Sequence, residues 1–429
     1  MRMSPNRCAG DSVKHLSSNA AALTICAAMV CAGSAQAGDA TLAPSRSQYD
    51  SIVRPAYQNR VKHFARLENS IRGLVVYEIG GGMSTGSGMS TGSSEEIIAT
   101  VNTAKSSPPI EFVNKVGSDV KVAAKIALRA VRLRYPKMQA GCIRLSFADQ
   151  YLDADGNSAG CAFAILILSL LENTRLDRHM AITGAITPDW HVRAIGGVAD
   201  KIHGAIEDHL TGVVLPQSNI RSISDMMILD GPQRAWKIQI FTVRKLQQAM
   251  ALMRRNKPRD IGFAMLLFSM LQPKFDRMGI GALRDPAVIK RLEQIAALAP
   301  NDISAQYLLA LAAGKQPRKL SLGTSEYQAF NIISLYKNYL WKFPPPAMPL
   351  LKAPIRITLR RLSRLSESAA PRSVPLIEAL RRFIRTCGNW AGSPAGIIHI
   401  ETRRDAVMTA LDRLNSSQKD IDRLLRNGF

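Results

Sequence analysis

The chain has 429 residues, of which 56 are Lys or Arg and 33 are Asp or Glu, giving a formal net charge of +23. This length excludes a single core of ordinary size, so two or three folded units are expected. The composition is otherwise that of a soluble globular protein, with 46% hydrophobic residues.

Residues 1–37 have the composition of a secretory signal. A polar, basic stretch to residue 18 precedes an apolar stretch over 20–32, and small residues at 35–37 fit a cleavage site. We predict cleavage after Ala37 and therefore an exported protein, periplasmic or secreted. The alternative is that an uncleaved signal anchors the protein in a membrane, although the apolar stretch is short for an ordinary transmembrane helix.

Residues 38–70 lack clear periodicity and predict a linker. The stretches 73–78 and 96–101 then predict a pair of strands. Between them, residues 83–94 contain the sequence Met-Ser-Thr-Gly-Ser twice. This density of glycine and serine predicts a flexible loop over 80–94.

Residues 119–135 predict a helix that ends before Pro136. Its apolar face is predicted to hold Val122, Ile126, Ala130 and Leu133. A short apolar strand over 142–147 and a polar loop over 149–155 follow. Strands alternate with helices through this part of the chain, which is typical of an α/β domain.

The polar loop ends in Asp155-Gly156-Asn157-Ser158-Ala159-Gly160 and leads into an unbroken apolar run over 161–171. A helix that is apolar on every side must be buried, so its first residues are held rigidly. At a helix N-terminus, unpaired N–H groups and the helix dipole favour a negative charge forming nearby. Ser158 is therefore a candidate nucleophile; the alternative is that it only caps the helix.

Two further segments complete a pattern. An apolar strand carries Thr183, and Gly196-Gly197 leads into a helix that carries Lys201 one turn inside and reaches about residue 210. In this order and spacing, the three segments resemble the proteolytic domain of Lon-type proteases, which contains Asp-Gly-Pro-Ser-Ala-Gly and Gly-Gly-Val/Leu-x-x-Lys. The resemblance covers about residues 71–254 and implies a mixed sheet with helices.

The resemblance implies a serine–lysine dyad, with Ser158 as the nucleophile, Lys201 as the general base and Thr183 as the hydroxyl that orients the lysine. A serine hydroxyl needs a neighbouring base, and a lysine can act as that base only when it is neutral. Free lysine has a pKa near 10.4, so catalysis near neutral pH requires that pKa to fall by about 3. Apolar neighbours on the same helix, such as Ile202 and Ala205, predict the burial that lowers it.

The sequence departs from the family pattern at several positions. Asn157 replaces the usual proline, Ala185 stands where many bacterial members have a glutamate, and Arg144 stands about where they have a histidine. Asp155 matches a family aspartate and is interpreted as a carboxylate that caps the turn. The replaced groups are auxiliary, and they motivate the alternative of a protease fold without catalysis.

Gly156, Ser158 and Gly160 also fit the Gly-x-Ser-x-Gly nucleophile elbow. That motif needs a strand running directly into its first glycine and a downstream aspartate and histidine. The nearest predicted strand ends at residue 147, and no downstream histidine stands out. The sequence therefore favours the serine–lysine interpretation.

Beyond residue 254 the pattern changes to helices. Residues 255–343 predict a helical region, in which two amphipathic segments are broken near Pro300. Residues 344–354 predict a proline-rich linker, and residues 355–429 predict a basic helical tail.

Removal of the signal would leave Cys142, Cys161 and Cys387. Buried thiols are favoured for the first two, and a single bridge is the alternative. The positive charge is concentrated in the tail, because residues 315–429 contain 20 Lys or Arg and 8 Asp or Glu. For an exported protein this excess favours an anionic membrane or envelope surface over nucleic acid, and a merely solvated face is equally compatible.

No cofactor or metal motif is found, and the phosphate-binding Gly-x-x-x-x-Gly-Lys-Ser/Thr pattern occurs nowhere. The sequence therefore predicts an exported serine endopeptidase that cleaves unfolded or flexible polypeptides without an ATPase of its own. The alternative is a catalytically impaired Lon-like scaffold that binds envelope or anionic surfaces through its basic C-terminal region. The resemblance also implies self-association into rings.

Overall fold

The computed structural model describes residues 63–79, 89–102, 109–138, 141–149, 156–336, 340, 352–389 and 394–426. These residues lie in one compact unit that spans residues 57–429. The predicted signal, most of the predicted linker before residue 71, and the loop around Asp155 lie outside them.

The first part of the chain alternates strands and helices. Its elements are β1 (Glu68–Ile79), β2 (Met89–Asn102), β3 (Ile110–Phe112), α1 (Ser118–Arg134), β4 (Cys142–Phe147), α2 (Gly160–Glu172), β5 (Met180–Ile182), β6 (Ala185–Ile186), β7 (Val192–Arg193), α3 (Val198–Glu207), β8 (Gly212–Pro216), α4 (Ile220–Asp230), α5 (Arg234–Lys237), β9 (Gln239–Val243) and α6 (Leu246–Met253). The rest is helical: α7 (Arg259–Met278), α8 (Pro286–Leu298), α9 (Ile303–Ala312), α10 (Leu322–Ile332), α11 (Lys352–Ser368), α12 (Val374–Asn389) and α13 (Pro394–Arg426).

Seven strands form one mixed sheet in the order β3-β4-β2-β1-β5-β8-β9. The pairs β1–β2 and β2–β4 are antiparallel, whereas the other neighbours are parallel. Strands β8 and β9 are buried along their whole length, as expected for parallel strands covered on both faces. The mixed α/β fold followed by a helical region is confirmed.

Helix α2 is buried from Gly160 to Leu171, and only Glu172 at its end is partly accessible. Its neighbours are the strands of the large sheet and α1, whose small residues Ala123, Ala124 and Ala127 are also buried. Close packing of this kind fixes a helix in position and leaves little freedom to the turn that enters it. The turn contains Ser158.

The predicted flexible loop over 80–94 is wrong for its second half. Residues 89–94 belong to β2 and pair with β1, in a register that places Gly92 opposite Val76 and Ser94 opposite Leu74. A Cβ on Gly92 would lie 1.9 Å from the Asp200 carbonyl oxygen. The second copy of the repeat therefore forms the strand on which α3 packs, because glycine permits that close approach. Residues 80–88 lie outside the described residues.

The predicted apolar face of α1 is wrong for Val122 and Leu133, although Ala130 is buried and Ile126 packs against the core. Val122 and Leu133 are 51% and 63% exposed, whereas the side chains against the core are mainly alanines with Val120, Leu128 and Val131. The helix carries apolar residues on more than one face, and small side chains face the core because α2 approaches closely.

The core that surrounds α2 continues beyond residue 254. It includes Phe268 and Phe275 from α7, Leu292 from α8 and Leu308 from α9. Trp236 stacks on Phe275 with ring centroids 5.4 Å apart. A second core is formed by α10 to α13, with Leu362, Phe383 and Val407 buried within it. Helices α7, α8 and α9 therefore pack as part of the sheet-containing body.

Two predictions in the helical part have mixed outcomes. The break near Pro300 is confirmed, since α8 ends at Leu298 and α9 begins at Ile303. The predicted linker over 344–354 lies mostly outside the described residues, but its end belongs to α11, which begins at Lys352. Among the described helices, none is both long enough and apolar enough to cross a membrane.

The three cysteines of the predicted mature chain, Cys142, Cys161 and Cys387, are buried free thiols. Burial raises the pKa of Cys161 to about 12, so this thiol stays protonated near neutral pH. The preferred prediction of packed thiols is confirmed for Cys142 and Cys161.

Candidate active site

Ser158 lies in a single 3₁₀ turn, Asn157–Ala159, immediately before α2. The sequence predicts that Ser158 is at the first position of the buried helix. In the structure it belongs instead to the turn that precedes this helix. Gly156 enters this turn with a φ of 95°, a left-handed conformation that favours glycine. The serine is partly accessible, whereas every residue from Gly160 to Leu171 is buried.

Thr183 follows β5 and joins the serine turn to Lys201. Its hydroxyl donates a hydrogen bond of 3.2 Å to the main-chain carbonyl of Ser158 and accepts one of 3.1 Å from the Lys201 Nζ. The next residue, Gly184, also donates its N–H to the Ser158 carbonyl at 2.8 Å. Three segments that are distant in sequence are thus held together by hydrogen bonds to one threonine and one carbonyl.

Lys201 is on α3 and is only 4% exposed. Burial lowers the pKa of its amine from 10.5 to about 8, because a charged ammonium loses hydration in the interior. Among the described residues, no carboxylate forms an ion pair with it. The amine is therefore neutral in roughly a tenth of the molecules at pH 7 and in about half of them near pH 8.

Ser158 and Lys201 line the same cavity, which has a volume of about 320 Å³. Its other walls are largely apolar and include Leu74, Val76, Ile97, Val120 and Phe147. A cavity with a mainly apolar lining that also includes a serine and a buried lysine can hold an apolar side chain near these polar groups.

The glycines around the serine have different roles from one another. A Cβ on Gly160 would lie 3.2 Å from Ile186 Cγ2, so this glycine permits β6 to pack against the start of α2. The Cys161 N–H donates to the Gly184 carbonyl at 2.8 Å and is not directed at a ligand. In contrast, Gly156 and Gly196 both line the cavity and have no atom within 4 Å of a Cβ position.

The turn before α3 sets where Lys201 stands. Gly197 has a φ of 64°, and a Cβ there would lie 2.8 Å from Val76 Cγ2. The buried amide of Asn219 exchanges two hydrogen bonds with the main chain of Ile195, at 3.1 and 2.9 Å. The sequence does not predict this role of Asn219, because its partner Ile195 is 24 residues away and no local pattern joins the two.

Tyr77 and its neighbours on β1 were also missed as cavity residues. The Tyr77 hydroxyl donates to Glu95 Oε1 at 2.6 Å, and burial together with this contact raises the pKa of the phenol. Strand periodicity could have indicated which β1 residues share a face, but only the tertiary fold places that strand over the serine turn.

Of the departures from the family pattern, Asn157 lines the cavity beside Ser158, whereas Arg144 and Ala185 do not. Arg144 is on β4 and pairs with Glu111 at 2.7 Å, and Ala185 is buried in β6. Asp155 is outside the described residues.

The nucleophile-elbow alternative finds no support. β4 ends at Phe147, well before Gly156, and no histidine is among the described residues that line the cavity. His191 instead contacts Asp189, and His203 contacts Asp230. Within the described ranges, no cluster of three His, Cys, Asp or Glu side chains could hold a metal ion.

Residues 69–253 match the family described as the Lon protease (S16) C-terminal proteolytic domain. Similar proteins include the archaeal Lon protease of Thermoplasma volcanium, 29% identical over 197 residues, or 45% of this chain and 29% of that protein. The Lon proteases of Endomicrobium trichonymphae and Rickettsia typhi are each 25% identical, over 42% and 45% of this chain and 23% and 25% of their own lengths. The chain thus spans less than a third of each of these relatives.

Proposed function

Residues 69–253 belong to the family of Lon protease (S16) C-terminal proteolytic domains, and from this premise we propose that the protein is an exported serine endopeptidase with a Ser158–Lys201 dyad. The observation that carries the proposal is the buried Lys201 amine, which lines one cavity with Ser158 and donates to Thr183 at 3.1 Å. A lysine with its pKa lowered to about 8 is suited to accept a serine proton.

The proposed reaction is acyl transfer. Neutral Lys201 accepts the proton of the Ser158 hydroxyl while the serine oxygen attacks the carbonyl carbon of the scissile peptide. The resulting ammonium returns that proton to the leaving amine as the C–N bond breaks, and an acyl-enzyme remains. Water then attacks the ester, with Lys201 again accepting and returning a proton. Thr183 is a positioning residue that holds the amine beside the serine turn.

The proposed substrates are unfolded or flexible polypeptides, cleaved without nucleotide. This proposal rests on the missing Gly-x-x-x-x-Gly-Lys-Ser/Thr pattern in the 429 residues, since unfolding of stable substrates needs a motor. An extended segment can place one apolar side chain in the cavity lined by Leu74, Ile97 and Phe147. A compact domain cannot do so before it opens locally.

The test is cleavage of casein by the purified protein without nucleotide. Ser158→Ala and Lys201→Ala should each lower kcat at least about 1,000-fold, because the nucleophile and base act as a unit. The matched controls Ser222→Ala on α4 and Lys121→Ala on α1 lie outside the cavity and should keep wild-type rates. Cleavage that survives in both dyad variants would refute the assignment.

The scaffold alternative makes a different prediction for the serine. A catalytically impaired protein should leave Ser158 unlabelled by a fluorophosphonate, whereas the proposed enzyme should be labelled in wild type and not in Ser158→Ala. The positions that motivated this alternative, Arg144 and Ala185, do not line the cavity, which favours the enzyme.

Export is proposed from residues 1–37, whose basic, apolar and small-residue stretches fit a cleaved signal. The intact mass of protein recovered outside the cytoplasm should correspond to a chain that starts at Gly38. A mass that retains residues 1–37 would favour the membrane-anchored alternative. Self-association and binding of the basic tail to anionic surfaces remain predictions.

A further inference from the structure

Arginines from three segments of the chain surround two adjoining surface cavities of about 470 and 670 Å³. Both cavities are lined by Arg66, Arg175 and Arg255, and Arg178 lines the smaller one. We refer to these four residues as the arginine cluster. It lies around the C-terminal end of α2, roughly 20 Å along that helix from the serine turn, so it is separate from the candidate active site.

The main chain that carries the cluster is held in place by hydrogen bonds. The Arg66 N–H donates to the Leu170 carbonyl at 3.0 Å, and the Arg255 N–H donates to the Arg175 carbonyl at 2.8 Å. Leu176 and Arg254 form an isolated β-bridge beside them. The side chains therefore start from fixed positions around the cavities, which reduces the entropy cost of gathering them on a ligand.

The positive charge of the cluster is not balanced by neighbouring carboxylates. Asp177 pairs with Lys257, and Glu172 pairs with Arg254 at 2.9 Å and accepts a hydrogen bond from Tyr135. In the part of the chain that the structure describes, no ion pair joins a carboxylate to any member of the cluster. Like charges gathered without counter-charges repel one another, and a bound anion would relieve that repulsion.

The remaining lining indicates a small polar ligand. Apart from Leu176, the cavities are lined by polar or charged residues: Asn69, Asn173, Thr174, Arg254, Asn256, Asp177 and His179. An acyl chain or an apolar peptide side chain would have little to contact there. Guanidinium groups form paired hydrogen bonds with the oxygens of phosphates and carboxylates.

We propose that the arginine cluster binds a multivalent oxyanion, a small molecule that carries two or three phosphate or carboxylate groups. Two cavities with shared arginines suit two anionic groups of one ligand. The proposal concerns binding alone, so its test does not depend on the peptidase activity.

The experiment titrates the full chain with pyrophosphate, citrate and orthophosphate at constant ionic strength, by calorimetry and by thermal unfolding. Wild type should bind pyrophosphate or citrate saturably, with a higher Tm at saturation. Arg175→Glu/Arg255→Glu should weaken binding at least about tenfold. Arg129→Glu/Arg132→Glu, an equal charge change on the exposed side of α1, should bind as wild type does.

The comparison of ligands identifies the anion class. Preference for pyrophosphate assigns a phosphorylated ligand, and preference for citrate assigns a polycarboxylate. Binding that is absent for both, or that weakens equally in the cluster and control variants, would overturn the proposal. If the Glu variant does not fold, Arg175→Gln/Arg255→Gln replaces it. Without ligand, the Gln variant should have the same Tm as wild type or a higher one. Pyrophosphate should raise its Tm by less than it raises the Tm of wild type.

Discussion

The pKa of the Lys201 amine depends on the burial of this group and on its hydrogen-bond partner. Burial lowers its pKa from 10.5 to about 8, which corresponds to roughly 3 kcal/mol of disfavoured charge at neutral pH. Thr183 supplies a hydrogen-bond partner to the amine without supplying a negative charge. A carboxylate in that position would raise the pKa again and hold the proton that a general base must give up.

The pH dependence of cleavage follows from this pKa. Activity should rise with pH through about 8, because only the neutral amine accepts the serine proton and roughly a tenth of it is neutral at pH 7. The measurement is kcat/KM between pH 6 and 10 on a peptide without titratable side chains, with circular dichroism at each pH to confirm the fold. Activity that falls between pH 7 and 9 would contradict a lysine base.

At the scale of elements, the contact between β2 and α3 positions the lysine. The two elements touch through glycines: a Cβ on Gly204 would lie 2.3 Å from the Gly92 carbonyl carbon, and one on Gly92 would overlap the main chain at Asp200. The two main chains can approach this closely only because neither residue has a side chain. Asp208, just after α3, also accepts a hydrogen bond from the Ser94 N–H at 2.5 Å.

Gly204→Ala should therefore damage both stability and catalysis. The added methyl meets main chain and not a flexible side chain, so α3 must move, at a cost of about 1–3 kcal/mol. A shift of about 1 Å at Lys201 should lower kcat by roughly 100-fold. Urea unfolding and casein cleavage measure the two effects.

Gly262→Ala on α7 is the matched control for this substitution. No atom lies within 4 Å of its Cβ position, and alanine is favoured in a helix. It should be at least as stable as wild type and fully active. Equal behaviour of the two variants would show that the β2–α3 contact tolerates a methyl group.

For the whole molecule, the edge of the sheet is where the helical part joins. β9 is an edge strand, and the segment before α9 covers it: Thr242 donates its N–H to the Asn301 carbonyl at 3.0 Å, and Ser304 bonds to Ile238 and Ile240 at 3.0 Å. Covering an edge in this way blocks pairing with other chains. The body that contains the candidate active site therefore includes helices beyond residue 254.

A buried carboxyl at this junction makes stability depend on pH. Asp302 is fully buried, and burial raises its pKa from 3.8 to about 6, although Gln239 donates to it at 2.6 Å. Because the folded pKa exceeds the unfolded one, the stability it contributes is complete below pH 3.8 and is lost as pH rises through about 6.

Asp302→Asn should remove this pH dependence. The amide keeps the cap of α9, where Asp302 accepts from the Ala305 N–H at 3.0 Å, but has no proton to lose. The free energy of unfolding of wild type relative to the variant should fall by roughly 2 kcal/mol between pH 4 and 7. Urea titrations at several pH values measure it, with Asp412→Asn as an exposed control. A difference that does not change with pH would contradict the buried, titrating carboxyl.

Local patterns in the chain were sufficient for the elements that carry Ser158, Thr183 and Lys201 and for the order in which these residues occur. An all-apolar run such as 161–171 can only be buried, and glycine turns mark the starts of α2 and α3 whatever surrounds them. The assignment of roles to those residues came from resemblance and stays a prediction.

Contacts between distant segments were decided by the tertiary structure alone. The second repeat became part of β2 because β1 offered it a partner and α3 needed a glycine there. No local sequence pattern indicates three further features: which side of α1 is exposed, the hydrogen bonds of the Asn219 amide, and the proximity of Arg66 to Arg175 and Arg255. Periodicity reports which residues share a face, but what covers that face depends on the packing of segments far away in the chain.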